Sequence, residues 1–446
     1  MSNLEHLTAL LLDAAGKAGA DTADAIAVKG DSQSIEVLNG KLEHAERAEG
    51  IDIGLRVMVG KRQACVSSSD VREDTITTMA ERAVAMAKEA PEDPNCGLAD
   101  PDQLATSWPT NLEMADPADA PSSADLMEKA LEAEAAAKAV SGVSKVDSAG
   151  AGYSANEIHL AATNGFSGGY KRTSTSVSCV AISGEGLKME RDYNGEGRIF
   201  AADMPSAAEI GRIAGERTVE RAGPSKPPTG SYPVLFDERI SSSLIGHLVS
   251  AINGSMIARG SSWAKDLMDK QVLPETLSLI EDPHRVRISG SKPFDAEGLA
   301  TQRRAVVENG ILKSWTLDLA TARKLGLEST ANASRGTSAP PSPSAGNLSL
   351  TQGDKSRADL IADMGTGLIV TSMIGSTINP NTGDYSPGAS GFWVENGVIT
   401  GPVNECTIAG NLRDMLLRMI PANDARAHLS RVVPSILIEG LTIAGN

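Results

Sequence analysis

The segment at residues 244–252 contains one side chain, His247, that could bind a metal ion. A zinc hydrolase needs two or three imidazole, carboxylate or thiolate ligands, and a carboxylate that takes the proton from the bound water. This segment offers one imidazole and no carboxylate. The residues around His247 at helical spacings are apolar, namely Leu244, Leu248, Ala251 and Ile252. We therefore expect a partly buried structural histidine on a helix.

A glycine-rich stretch at residues 379–393 places the hydroxyls of Ser386 and Ser390 near the carboxylate of Asp384. A serine nucleophile is disfavoured, because Gly-x-Ser-Gly at 388–391 differs from the nucleophile-elbow spacing and no histidine stands nearby as a base. The glycines favour a tight turn that lets the chain double back. The functional alternative is a loop that presents backbone groups to a peptide. Its candidate contact wall consists of Asp384, Tyr385, Ser386 and Ser390.

A metal site could also be assembled from distant residues. In that alternative the chain is an independent metal-dependent hydrolase, which uses His247 with Cys406 and with a carboxylate from Asp384 or Glu405. The four cysteines lie far apart without a Cys-x-x-Cys pair, so the sequence indicates neither a zinc knuckle nor a redox motif. We expect Cys406 to be a buried, reduced structural thiol.

Several long runs of the chain resemble the PmbA/TldE branch of the TldD/PmbA family of bacterial peptidases. These runs are residues 244–252, 259–263, 270–272, 318–327, 338–343, 379–393 and 407–412. Zinc-binding members of the family have His-Glu-x-x-x-His where this chain has His247, Leu248 and Ile252. They also take a thiolate from near the C-terminus, but residues 430–438 contain no cysteine. The resemblance therefore implies vestigial metal-site positions, no catalytic residue and no metal or other cofactor in this chain.

For function, the resemblance implies a dimer with a TldD-like subunit that supplies zinc and degrades small unfolded peptides, such as peptide-antibiotic precursors and antitoxins. This chain would be the catalytically silent subunit. We expect residues 240–262 and 379–393 to complete the chamber wall, and sheet edges to accept extended peptide by strand addition. A homodimer is possible when the partner is absent. The remaining alternative is a non-enzymatic homodimeric regulator that binds peptides.

The composition and charge of the chain disfavour some classes of binding partner. Among the 446 residues, 41% are hydrophobic and 22% charged, which is typical of a globular protein. The formal charge of −16 would repel a phosphate backbone, so we expect no nucleic-acid partner. The first residues lack a basic segment followed by an apolar run, and no segment reaches the roughly 18 apolar residues that a membrane span needs. We expect a cytoplasmic protein with no membrane partner.

The N-terminal half has two units with the order helix, strands, helix. The predicted elements are a helix at 4–19, a strand at 51–59 with one buried face, a helix at 70–89, a helix at 124–140, strands within about 143–200, and a helix at 207–222. Six prolines between the units indicate an irregular linker. We predict four parts, namely an α/β subdomain at 1–90, the linker at 91–122, a central α/β subdomain at 123–222 and a C-terminal domain at 230–446.

A Gly- and Pro-rich boundary at 223–230 precedes the C-terminal domain. Beyond it, short β-branched runs follow Asn-Gly turns at Asn309 and Asn396. Besides the segment around His247, helices are expected near 355–364 and 411–420. The fold class is therefore α+β, with a β-rich, barrel-like C-terminal domain made of antiparallel strands.

Overall fold

The computed structural model describes residues 3–375 and 378–445, so residues 1, 2, 376, 377 and 446 of the predicted parts lie outside it. Its first half contains four α-helices and six strands in the described range. They are α1 (Asn3–Ala18), β1 (Thr22–Leu38), β2 (Lys41–Val59), β3 (Arg62–Ser68), α2 (Glu73–Glu89), α3 (Ser123–Lys138), β4 (Val143–Ala162), β5 (Ser167–Ser183), β6 (Glu190–Arg198) and α4 (Ala207–Glu220). The predicted order of helix, strands and helix is confirmed in both units.

The six strands form one antiparallel sheet in the order β3-β2-β1-β4-β5-β6. β1 joins the two units, since it pairs with β4 from Asp24 opposite Ala162 to Val37 opposite Ala149. Apolar side chains of α1 and α2 pack on β1 and β2, and those of α3 and α4 pack on β4 and β5. The predicted subdomains at 1–90 and 123–222 thus share a sheet. Residues 91–122 run between them with a single short 3₁₀ turn, Pro101–Gln103, in the described chain.

The predicted strand at 51–59 has a different environment from the expected one. Residues 53–58 of β2 are buried on both faces, whereas the alternating pattern predicted one buried face. One face packs on α1 and α2. On the other face, a methyl group added at Gly54 would lie 2.2 Å from the carbonyl oxygen of Thr337. The second layer comes from the C-terminal half of the chain, so local periodicity could not reveal it.

The second half contains five helices and fourteen strands within the described ranges. They are β7 (Gly230–Phe236), α5 (Glu238–Ala251), α6 (Gly254–Ala258), β8 (Leu279–Glu281), β9 (Arg304–Glu308), β10 (Ile311–Leu312), α7 (Leu319–Leu325), β11 (Ala333–Ser334), β12 (Ser342–Pro343), β13 (Leu348–Leu350), α8 (Arg357–Asp363), β14 (Gly367–Ile374), β15 (Asp384–Tyr385), β16 (Gly388–Glu395), β17 (Val398–Asn411), α9 (Leu412–Leu417), β18 (Ile420–Pro421), β19 (Arg431–Val432) and β20 (Ile436–Ala444). The predicted helices are confirmed. α9 ends before residue 420 because Ile420 and Pro421 pair with β20.

Five of these strands close into a barrel in the order β17-β16-β14-β7-β20, with β20 pairing back to β17. Only the β14–β7 pair is parallel among these five contacts. The Asn-Gly turn between β16 and β17 has positive φ at both Asn396 and Gly397, as a type I′ hairpin requires. The barrel-like prediction is confirmed. No helix of the described residues has the length and apolar character to cross a membrane.

Candidate functional site

α5 carries His247 and starts directly after β7. Asp237 caps the helix, because its side chain accepts a hydrogen bond of 3.2 Å from the backbone N–H of Arg239. Leu244 and Ile245 pack in the largest apolar cluster, which also includes side chains of the barrel strands. His247 lies beside this buried stripe and is half-buried. The helix therefore presents the imidazole at the edge of the barrel core.

The ring of His247 contacts the ring of Tyr385 on β15. The ring centroids lie 5.8 Å apart and the planes make an angle of 63°, which is an edge-to-face arrangement. Tyr385 is only 2% exposed, and its hydroxyl donates to the sulfur of Met373 at 3.1 Å. Burial lowers the pKa of His247 and so favours the neutral imidazole. His247 is thus a neutral ring packed on an aromatic neighbour.

The other two vestigial positions belong to the core. Leu248 and Ile252 are both 0% exposed. Ile252 is the C-cap of α5, and its N–H donates to the carbonyl of Leu248 at 2.9 Å. Aliphatic side chains offer neither a lone pair to a cation nor a carboxylate to a bound water, so these two residues do not fit a zinc site. Across residues 3–375 and 378–445, no group of three or more His, Cys, Asp or Glu side chains is placed to hold a metal ion.

The residues of the alternative metal site have other partners. Cys406 is 4% exposed, its thiol donates to the carbonyl of Ala389 at 3.2 Å, and burial raises its pKa to about 11. Glu405 is exposed and forms an ion pair with Lys226 at 3.2 Å. Asp384 is also exposed, and hydrogen bonds from Thr382 and Asn411 hold its carboxylate and lower its pKa. The structure therefore does not assemble these groups around His247.

The four residues of the candidate contact wall occupy two places. Asp384 and Tyr385 form β15, which pairs with the end of β17, and Ser386 follows on the surface. Ser390 lies further along on β16, where it is buried and accepts a hydrogen bond of 2.9 Å from Arg221 at the end of α4. Asp384 and Ser386 can share one surface, whereas Tyr385 between them is buried and Ser390 connects the barrel to the N-terminal half.

The two predicted wall segments are in contact. Besides the His247–Tyr385 pair, the N–H of Trp263, next to the first segment, donates to the carbonyl of Pro380 at 2.7 Å. A methyl group added at Gly383 would lie 3.4 Å from the Trp263 ring. The loop that leads into β15 therefore rests on the chain that follows α6. The segments 240–262 and 379–393 thus form one continuous region at the barrel.

A buried ionic triad at the junction of the two halves was not predicted. Asp24 accepts a hydrogen bond of 2.7 Å from Arg56 Nε and another from Arg335 Nη1. The sequence did contain a signal, since Asp24 stands between two alanines and Arg56 between Leu55 and Val57. A charge inside an apolar strand run indicates a buried partner. The identity of Arg335 as that partner depends on tertiary contacts.

Three family models match the chain along its length. The model described as PmbA/TldA metallopeptidase C-terminal domain matches residues 229–445. The central domain of the same metallopeptidases matches residues 116–222, and their domain 1 matches residues 23–87.

Individual proteins give the same result. The metalloprotease PmbA of Escherichia coli O157:H7 is 34% identical over 440 residues, which are 98% of this chain and 95% of that protein. A crystal structure from Bacteroides thetaiotaomicron, of a protein described as a modulator of DNA gyrase, superposes with a TM-score of 0.90 at 28% identity and covers 99% of each chain. TldE from Thermococcus kodakarensis superposes with a TM-score of 0.86 at 20% identity, over 98% of this chain and 100% of that one. Because the identity to TldE is only 20%, this similarity shows a shared fold and nothing more.

Proposed function

Since this chain belongs to the PmbA/TldD family of metallopeptidases, we propose that it is the non-metallated subunit of a peptide-degrading enzyme. A TldD-like partner holds the zinc, activates water and cleaves the peptide. This chain supports the partner and forms part of the chamber wall. The substrates are small unfolded peptides, with peptide-antibiotic precursors and antitoxins as the candidates, and the complex is cytoplasmic.

The observation that carries the proposal is the environment of His247. Its ring packs on Tyr385, and buried aliphatic residues, Leu248 and Ile252, stand where zinc-binding members have the glutamate and the second histidine. Activation of a water molecule requires a Lewis acid or a general base close to it. Among the described residues no further metal ligand joins His247, and its imidazole, the one basic group here, packs on the buried ring of Tyr385, so we assign the chemistry to the partner.

The open edge of β2 supports a role in binding extended peptide. Residues 41–50 of β2 are exposed without interruption. β3 pairs with β2 only from Ile53 onwards, so the outer edge of residues 41–52 has no strand partner in the described chain. An unpaired edge offers backbone N–H and C=O groups that can hold a peptide of any sequence. Such sequence-independent binding suits a subunit that handles unfolded peptides.

Reconstitution tests the proposal. We expect the purified chain alone to leave an unfolded peptide intact and to contain no stoichiometric zinc. Together with a TldD-like protein that carries His-Glu-x-x-x-His, it is expected to give cleavage that a chelator stops. As a control, replacement of the partner's motif glutamate by glutamine should abolish the activity.

Two outcomes contradict the proposal, and each favours a different alternative. Chelator-sensitive cleavage by the chain alone, lost together with bound zinc in His247→Ala, favours the independent hydrolase. Failure of the chain to co-purify with a TldD-like protein, together with peptide binding by the homodimer, favours the non-enzymatic regulator.

A further inference from the structure

A cavity of about 140 Å³ lies where the C-terminal half covers the N-terminal sheet. Its sheet side consists of aliphatic side chains from two neighbouring strands, namely Ile26 and Val28 of β1 and Ile158 and Leu160 of β4. Its other side comes from loops of the C-terminal half and includes Lys292 and Arg335. The cavity therefore has an apolar wall opposite two cationic side chains.

Aromatic residues make the apolar part rigid. Phe294 and Tyr170 both line the cavity, and their ring centroids lie 5.6 Å apart. Phe294 also contacts Trp108 at 4.9 Å and Phe166 at 5.0 Å. Aromatic residues make up only 3% of the chain, and four of them meet at this junction. Interlocked rings resist collapse, so the cavity keeps its shape when empty.

Arg335, which lines the cavity, has a hydrogen-bond donor without a partner among the described residues. Its side chain is 0% exposed, and its Nη1 group donates to Asp24. Its Nη2 group is buried and has no hydrogen-bond partner among the described residues. Asp24 also accepts from Arg56, so two guanidinium groups share one carboxylate. Buried N–H groups of a cation are normally satisfied, and an added anion at this position would satisfy them.

Lys292 is the second cation. It is partly buried, and desolvation lowers the pKa of its ammonium group. No ion pair of Lys292 occurs among the residues that the structure describes. The nearby carboxylate of Asp295 is occupied by the backbone, since it accepts hydrogen bonds from the N–H groups of Glu297, Leu299 and Ala333 at 2.9 to 3.1 Å. Asp295 therefore fixes the loop. It also lines the cavity, and its charge raises the pKa of Lys292 against the larger effect of desolvation.

We propose that this cavity binds a small aliphatic carboxylate. The carboxylate group is held by Lys292 and Arg335, and the hydrocarbon part lies against β1 and β4. A cavity of about 150 Å³ in another protein takes one benzene molecule, so the space here suits about six non-hydrogen atoms, the size of isobutyrate. The ligand is either a free short-chain acid or the C-terminal residue of a peptide that ends in valine. The inference is independent of the proposed function, because the cavity contains no residue of the contact wall.

The test is a titration of protein labelled with ¹³C in the methyl groups of isoleucine, valine and leucine. The probes are sodium isobutyrate, neutral isobutyramide, the tripeptide Gly-Gly-Val and its C-terminal amide. We expect isobutyrate to shift the methyl signals of Ile26, Val28, Ile158 and Leu160, and isobutyramide to bind at least about tenfold more weakly. Tighter binding of Gly-Gly-Val than of isobutyrate, lost in the amide, would assign the ligand to a peptide terminus. Tighter binding of isobutyrate would assign it to a free acid.

Variants locate the site. Lys292→Met keeps the length of the side chain without the charge, and Ala296→Leu fills the cavity. Each is expected to weaken binding at least about tenfold. Arg335→Gln should also weaken binding at least about tenfold. If this variant does not fold, Lys292→Met and Ala296→Leu still test the site. Lys313→Met removes an exposed lysine elsewhere and should change the affinity less than about twofold.

The inference is wrong under any of three results. The first is that neither isobutyrate nor Gly-Gly-Val shifts the four methyl signals. The second is that the amides bind as tightly as the acids. The third is that both Lys292→Met and Ala296→Leu, with melting temperatures that show a folded protein, bind isobutyrate like the wild type.

Discussion

The imidazole of His247 and the phenol ring of Tyr385 meet edge to face, with centroids 5.8 Å apart. The two residues belong to elements that are distant in the chain, α5 and β15, and only the closed barrel brings them together. The contact gives the imidazole an aromatic partner. It also predicts how the protein responds to pH and to mutation.

The first prediction concerns pH. Burial lowers the pKa of His247 from its ordinary value of 6.5, so the unfolded chain takes up the proton more readily than the folded one. The resulting stability is complete above pH 6.5 and is lost as the pH falls below it. His247→Phe keeps a ring beside Tyr385 but cannot be protonated. Urea titrations between about pH 7 and about pH 5.5 should therefore show a smaller loss of unfolding free energy in the variant. Equal losses in both proteins would contradict the neutral, buried imidazole.

The second prediction restores the family's carboxylate. Leu248→Glu places a charged group at a position that is 0% exposed. We expect a loss of about 3 to 5 kcal/mol in the free energy of unfolding and no gain of zinc. Ser250→Glu, at an exposed position of the same helix, should cost less than about 0.5 kcal/mol. The measurements are chemical denaturation and metal analysis. Stoichiometric zinc in a stable Leu248→Glu protein would show that the site is close to competent.

The third prediction concerns the thiols. Burial raises the pKa of Cys406 to about 11, so little thiolate is present near neutral pH. Cys65 is partly exposed, whereas Cys406 is buried; desolvation also raises the pKa of Cys65, but the charge of Arg56 lowers it. With iodoacetamide near neutral pH we expect Cys65 to react at least about tenfold faster than Cys406, as measured by peptide mass spectrometry. In urea the two rates should become similar. Rapid labelling of Cys406 in the folded protein would instead support a thiolate that is available for a metal.

The fourth prediction tests the second layer on β2. A methyl group at Gly54 would overlap the carbonyl of Thr337, so Gly54→Ala should lower the free energy of unfolding by about 1 to 3 kcal/mol. The backbone amides near Thr337 should also exchange with deuterium faster. Gly50→Ala on the same strand meets no atom within 4 Å and should change the stability by less than about 0.5 kcal/mol. Equal effects of the two substitutions would mean that the layers are not in contact at Gly54.

Local sequence patterns predicted most of the helices, but α6 and α7 were missed. The apolar stripe at 70–89 is α2, which starts at Glu73, and the helix predicted at 124–140 is α3, capped by Ser122. Apolar stripes, helix caps and Asn-Gly turns depend on residues that are close together in the chain. They can therefore be identified from the sequence alone. The double burial of residues 53–58 was missed, because the covering layer comes from the C-terminal half.

The candidate site was predicted only in part. The single imidazole and the aliphatic residues beside it could be identified from the spacing in the helix. Tyr385 as the ring partner and Arg221 as the partner of Ser390 could not, because both contacts cross between distant elements. The cavity beside Arg335 was missed for the same reason.

Barrel closure has a consequence for how the protein is made. β20 lies between β7 and β17, so the earliest strand of the barrel needs a neighbour that emerges from the ribosome some two hundred residues later. Until then the apolar faces of β7 and α5 remain uncovered. The N-terminal sheet, which ends with β6, can assemble long before that time. We therefore expect the first half to fold before the barrel closes, and chaperones to bind both the uncovered face of its sheet and the residues beyond 230.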